Sequence, residues 1–383
     1  MKAQVFDVIS REKLIPFGYP AVEDFELSEK GFVDAQTILY NPNILLYCLE
    51  PQNKQAVFVE TPDVSDLIAA PFYYISQFEQ AAQVLKISYE TLERLASQVI
   101  LDDRRMILIY SMGRCGTTLT SSAFSQAEDV VSLSEPDVFT QLVQMRDFSG
   151  ANDVEIGELA RVCLLLTCKD WVDGQQPVWV LKFRSFVVEI ADMIYANFPQ
   201  AKSLFLYRHA EPWAKSTARA FGGNEYPTQE QLIGFWMWSK EVVKKLDRYN
   251  LASLDEISGG LLISLLWLTY MERCLEHLNA GQPMLPVRYE DLKAKPELVI
   301  GRIFDYCGVH AADKNKLLEV LNKDSQADTP ISRDQLKQVD WEMAPSDIAL
   351  VRQVIAEQPI INTPDYQLPG TLKLKYKGSN ENS

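Results

Sequence analysis

Ser111-Met112-Gly113-Arg114-Cys115-Gly116-Thr117-Thr118-Leu119-Thr120 follows directly on the apolar run Met106-Ile107-Leu108-Ile109-Tyr110. A short aliphatic and aromatic run bounded by polar and turn residues reads as a buried strand, and the residues from about Thr117 read as the start of a helix. Between the two, Gly113 and Gly116 let the backbone bend tightly and approach a ligand. The helix start turns free N–H groups and the positive end of its dipole toward an anion. The stretch is a phosphate loop by its physics. It is not a Walker loop, which has four residues between its glycines and a Lys-Ser/Thr pair after the second. Here two residues intervene and no lysine follows Gly116, which disfavours ATP or GTP hydrolysis.

The same pattern, a buried strand followed by a helix, recurs beyond the loop. Residues 178–181, 203–207 and Met284–Arg288 are further strand candidates of the same composition. Strands alternating with helices predict an α/β fold, a P-loop-like, mostly parallel sheet flanked by helices, with ligands at the carboxyl ends of its strands. Residues 1–103 read differently. Strand candidates 44–49 and 56–60 are separated by Pro51-Gln52-Asn53, and 72–85 and 89–99 carry apolar residues at helical spacing. This predicts an N-terminal α+β appendage, a hairpin plus helices, serving as structural support or as an acceptor-side lid. The expected boundaries are 1–103, 104–325 and 326–383, the last a C-terminal extension whose polar tail frays from Pro364.

Composition narrows the function. The chain has 383 residues, 47% hydrophobic and 23% charged, with a formal net charge of −15. That charge argues against nucleic acid or another polyanion as partner. The six cysteines fall at no metal-ligand spacing and are expected as buried free thiols, with no metal required. The N-terminus lacks a basic region followed by an apolar one, and the most apolar run, 261–268, is too short to span a bilayer, so cytoplasmic residence without a transmembrane segment is expected.

Two further segments join the phosphate loop. Leu204-Phe205-Leu206-Tyr207-Arg208 ends a strand, and Ser216 lies eight residues beyond Arg208 on the following helix. Arg208 can make charge-assisted bonds to a phosphate that Ser216 also reaches. Pro286-Val287-Arg288-Tyr289-Glu290-Asp291-Leu292 is the third. Together they resemble the PAPS-dependent sulfotransferases, PAPS being 3′-phosphoadenosine 5′-phosphosulfate. Gly113 to Leu119 is similar to the family's 5′-phosphosulfate loop, with Arg114, Cys115, Gly116, Thr117 and Thr118 as its binding residues. Cys115 stands where serine is usual. Arg208 and Ser216 match the 3′-phosphate site, and 288–292 matches a late motif read here as architectural.

The resemblance implies sulfuryl transfer from PAPS to an acceptor the sequence does not identify. Such transfer needs a base for the acceptor proton and a cation for the leaving phosphate. In the cytosolic branch the base is a histidine two residues after a lysine that follows the second strand; here Lys182 is present but Arg184 occupies the histidine's place, and arginine stays protonated. The tyrosylprotein sulfotransferase branch instead uses a glutamate twenty-one residues after the loop's arginine, and Glu135 falls at that offset. Glu135 is thus the expected base and Lys182 the expected cation, with Asp137 as runner-up base. Phe235-Trp236-Met237-Trp238 is expected mainly as core. The stretch from Asp324 to Arg333 lies where related enzymes often close over the nucleotide. A catalytically silent nucleotide-binding protein and a P-loop nucleotide kinase remain the alternatives.

Overall fold

The computed structural model describes residues 1–13, 18–147, 149–169, 176–221, 227–249, 257–323, 332–337 and 342–374. Among the described residues, ten strands form two five-stranded sheets. The first contains β1 (Lys2–Arg11), β2 (Phe25–Asp34), β3 (Ile44–Glu50), β4 (Gln55–Glu60) and β5 (Gln83–Ser88), in the order β2-β1-β5-β4-β3. Its four strand pairings are all antiparallel. The second contains β6 (Met106–Ser111), β7 (Val130–Ser134), β8 (Val178–Lys182), β9 (Lys202–Tyr207) and β10 (Met284–Arg288), in the order β10-β9-β6-β8-β7. The chain is an α/β protein with a parallel sheet flanked by helices and an antiparallel N-terminal sheet. All six residues of β6 are buried, as expected of a strand covered on both faces.

The chain forms two compact units. One comprises Met1–Tyr110, Asp129–Lys202 and Thr228–Ile257; the other comprises Ser111–Glu128, Ser203–Pro227 and Ser258–Ser383. Segment 1–103 therefore belongs to the same compact unit as β7 and β8.

The expected hairpin at 44–60 is present, but the N-terminal region holds more sheet than its sequence suggested. The helical reading of 72–85 is corrected: the helix Tyr73–Gln80 ends early, and Val84, Leu85 and Ile87 are buried on β5 between β1 and β4. Short apolar runs fit both periods, and here pairing on both sides decides for strand. Two buried polar side chains tie the N-terminal region to later segments of the same unit. Lys169 donates to the carbonyls of Ile38, Asn41 (2.8 Å) and Ile44 (2.6 Å). Gln141 accepts from Leu49 N–H at 2.8 Å and donates to Pro20 O at 3.0 Å. Such groups are tolerated in a core only when satisfied.

In the second unit the run 261–268 lies within the buried helix Gly259–Asn279. Among the described residues, no helix is long and apolar enough to cross a membrane. The tail expected to fray from Pro364 is packed as far as residue 374. Leu368 is buried, Pro364 O accepts from Ala210 N–H at 2.8 Å, and Leu372 N–H reaches Pro286 O at 2.9 Å. The six cysteines are all buried.

Candidate functional site

The loop from Gly113 to Gly116 takes three left-handed positions, Gly113 at φ 72°, Arg114 at 51° and Gly116 at 85°. Glycine meets the first and last without steric cost. The helix Thr117–Phe124 then starts with Gly116 at its N-cap, where no side chain caps it. Trp213 Nε1 donates to the carbonyls of Met112 (3.2 Å) and Gly113 (3.0 Å), pinning the loop from the helix Ala210–Phe221. Cys115 turns inward, its thiol 3.2 Å from Leu206 O on β9. Gly116 is held to glycine twice over. A Cβ there would lie 2.8 Å from Leu292 Cδ2 and 3.2–3.3 Å from two ring carbons of Tyr289. Gly116→Ala is therefore expected to lower stability by ~1–3 kcal/mol through backbone strain alone, with steric displacement in addition. Chemical denaturation measures it, and an unchanged midpoint would show that the loop relaxes freely.

The five charged and hydroxyl residues expected at the two phosphates, Arg114, Thr117, Thr118, Arg208 and Ser216, all belong to this unit. Arg114 Nε lies 3.3 Å from Ser216 Oγ, and Arg208 Nη1 donates to Arg114 O at 3.2 Å. Arg208 Nε is buried with no hydrogen-bond partner. A buried N–H of a permanent cation left unsatisfied is costly, and an anionic ligand arriving at this place would satisfy it. Thr117 and Thr118 are largely buried in the first helical turn.

In the other unit, sheet register places the expected base beside the expected cation. β7 and β8 run parallel with Leu133 opposite Leu181 and Ser134 opposite Lys182, so the residue after β7 arrives at the end of β8. Glu135 N–H donates to Lys182 O at 2.7 Å, and Lys182 Nζ donates to Glu135 Oε1. The side chains are only 4% (Lys182) and 14% (Glu135) exposed. Glu135 adopts φ 66°. A residue before proline is biased toward extended backbone, so this conformation costs of order 1–3 kcal/mol, held by the surrounding structure. Glu135 is not a helix cap, and Lys182 is not a surface lysine.

A family model described as the sulfotransferase family matches residues 106–313, more than half the chain. The chain belongs to the sulfotransferase family. Solved structures similar to it include the sulfotransferase domain of the Synechococcus olefin synthase, at 16% identity, 66% of this chain, 94% of that chain and a TM-score of 0.33. Sulfotransferase STF1 from Mycobacterium tuberculosis gives 13%, 61%, 76% and 0.36. A sulfotransferase from Alicyclobacillus acidocaldarius gives 16%, 65%, 89% and 0.35. No curated protein sequence matches. With identities and TM-scores this low, membership rests on the family match.

The sulfotransferase match begins at residue 106, yet the N-terminal region reaches the surroundings of the Glu135–Lys182 ion pair. Ser134 Oγ donates to Pro71 O at 2.6 Å, Lys182 Nζ lies 5.9 Å from the Phe72 ring centre, and Arg184 lies 5.2 Å from that of Tyr74. Nothing in the sequence marked these residues, because the contacts are purely tertiary. Arg184 also lies over Phe186 (5.4 Å) and donates to Asp137 at 2.7 Å. Asp137, which also accepts from Thr140, has a fully buried side chain. Burial pushes its carboxyl up to about 6 against the opposing pull of Arg184. Its oxygens are committed inward, so as a base it is poorly placed.

The cluster expected as core divides. Trp236 is buried, but Phe235 and Met237 are 39% and 54% exposed, because consecutive positions on the helix Gln229–Val242 cannot share one face. Of the stretch from Asp324 to Arg333, residues 324–331 lie outside the described residues. Among the described residues, no group of three or more His, Cys, Asp or Glu is arranged to hold a metal ion.

Proposed function

We propose that this sulfotransferase moves the sulfuryl group of PAPS onto an acceptor hydroxyl or amine by in-line displacement. Arg208 and Ser216 bind the 3′-phosphate. Arg114, Thr117, Thr118 and the backbone of Cys115 and Gly116 bind the 5′-phosphosulfate. Glu135 takes the acceptor's proton as its oxygen or nitrogen forms the new bond to sulfur. Lys182, with Arg114, neutralises charge as the bond from sulfur to the phosphate oxygen breaks, leaving adenosine 3′,5′-bisphosphate. A carboxylate base at this offset is closer to the tyrosylprotein sulfotransferase branch than to the cytosolic one.

The observation that carries this reading is the contact of Arg114 with both Ser216 and Arg208, together with the buried Nε–H of Arg208 that lacks a hydrogen-bond partner. A kinase reading is disfavoured by the missing loop lysine. A silent binding protein would have no use for a strained glutamate paired with a buried lysine.

Calorimetry tests the donor assignment. Adenosine 3′,5′-bisphosphate should bind in preference to ATP. Arg208→Ala should weaken it by about 1.5–3 kcal/mol, the usual loss for a hydrogen bond to a charged group. Unchanged affinity in that variant would place the 3′-phosphate elsewhere, and a preference for ATP would sink the reading. Transfer from labelled PAPS into a cell extract would then identify the acceptor.

A further inference from the structure

The segment after β10 was expected to be architectural, yet its contacts are concentrated on the two phosphate-binding elements. β9 and β10 run parallel with Tyr207 opposite Arg288, so the residues that follow each strand emerge side by side. Arg288 is occupied by Asp291, through bonds of 2.9 and 2.7 Å. Glu290 Oε1 accepts the His209 N–H at 3.2 Å. Tyr289 does something different: its ring centre lies 4.6 Å from the guanidinium carbon of Arg208. Two carbons of the same ring would lie only 3.2 and 3.3 Å from a Cβ on Gly116.

The Arg208 guanidinium is therefore fixed by an aromatic face and by the Arg114 carbonyl, while its Nε–H is left unsatisfied. Trp267 Nε1 holds the backbone from which it springs, donating to Arg208 O at 2.9 Å. An aromatic face attracts a cation and orients its plane while taking up none of its in-plane N–H donors. A carboxylate in the same place would have consumed those donors and cancelled the charge.

Resting on the reading of Arg208 as the 3′-phosphate ligand, we infer that Tyr289 is the positioning residue that sets this arginine for the 3′-phosphate. Its effect falls on discrimination between nucleotides with and without that phosphate.

The test is calorimetry on the full chain with adenosine 3′,5′-bisphosphate and adenosine 5′-monophosphate, for wild type, Tyr289→Leu, Tyr289→Phe and Arg208→Ala. Tyr289→Leu should lose roughly three- to thirty-fold in affinity for the bisphosphate, the range of a cation–π contact. It should leave the monophosphate unchanged, and Tyr289→Phe should behave as wild type. Should the leucine variant fold poorly, a fluorinated phenylalanine at 289 keeps the ring's shape while weakening its negative face, and bisphosphate affinity should fall with fluorination. Equal losses for both nucleotides would overturn the inference and make Tyr289 a support of the Gly116 loop. No loss on removing the ring, while Arg208→Ala abolishes the preference for the bisphosphate, would overturn it and leave the donor assignment standing. A preference that survives Arg208→Ala would overturn both.

Discussion

Glu135→Gln is expected to reduce turnover by ~10²–10⁴-fold, the contribution usual for a positioned general base. The amide oxygen can still accept from Lys182, so the local hydrogen bonding survives while the capacity to take a proton is lost. The residues proposed for the two phosphates lie elsewhere in the chain, and affinity for adenosine 3′,5′-bisphosphate should change little. A loss in kcat without a loss in nucleotide binding is thus the pattern sought, measured with labelled PAPS on an identified acceptor. A wild-type pH profile alone would be ambiguous. Asp137 has its carboxyl raised to about 6 by burial and pairs with Arg184 close to Glu135 in sequence. An acid limb near pH 6 could therefore report Asp137. Because its folded value is raised, this group favours the folded state below its ordinary value near 3.8, and that contribution is lost as pH rises through about 6. The acid limb of activity would thus arise without acid unfolding by this group. Near-normal turnover in Glu135→Gln would remove Glu135 as base and direct the search to His209, since the oxygens of Asp137 are committed to Arg184 and Thr140.

What was legible in the sequence was local. The strands β6, β8, β9 and β10 are short apolar runs with a clear boundary, and residues bearing phosphate chemistry follow β6 and β9. Their sheet and its helices could be read from alternation alone. β7 was missed because Val130-Val131-Ser132-Leu133-Ser134 is half polar, although it is the strand that delivers Glu135. β1 and β2 were missed for a related reason: β2 has one buried residue, so it lacks the alternation that marks a strand against a core. Glu135 itself was found by offset from Arg114, and its pairing with Lys182 follows from the β7–β8 register, which no sequence period encodes. The contacts of Pro71, Phe72 and Tyr74 are further still from local reading. They join residues 63 to 110 positions apart.

Lys182 carries the second large effect, and Lys182→Met is the variant that isolates it. Methionine keeps the long unbranched shape of the side chain, so little cavity is left where only 4% of the lysine is exposed, and the charge alone is removed. If Lys182 neutralises the charge that develops as sulfur leaves the phosphate oxygen, the interaction strengthens on the way to the transition state. Turnover should then fall by ~10²–10³-fold, the loss seen when one such stabilising donor is removed. Affinity for adenosine 3′,5′-bisphosphate should move much less. Stability must be measured beside activity, because breaking a buried pair by removing one partner can cost about 3–5 kcal/mol. The double variant Lys182→Met with Glu135→Gln separates the two consequences. It removes the isolated carboxylate, so stability should recover relative to Lys182→Met alone, while turnover should remain as low as in the worse single variant. Recovery of turnover along with stability would mean that neither side chain takes part in the chemistry and that the single variant lost activity through instability alone. A collapse of nucleotide affinity with kcat unchanged would make Lys182 a binding residue and end its catalytic assignment.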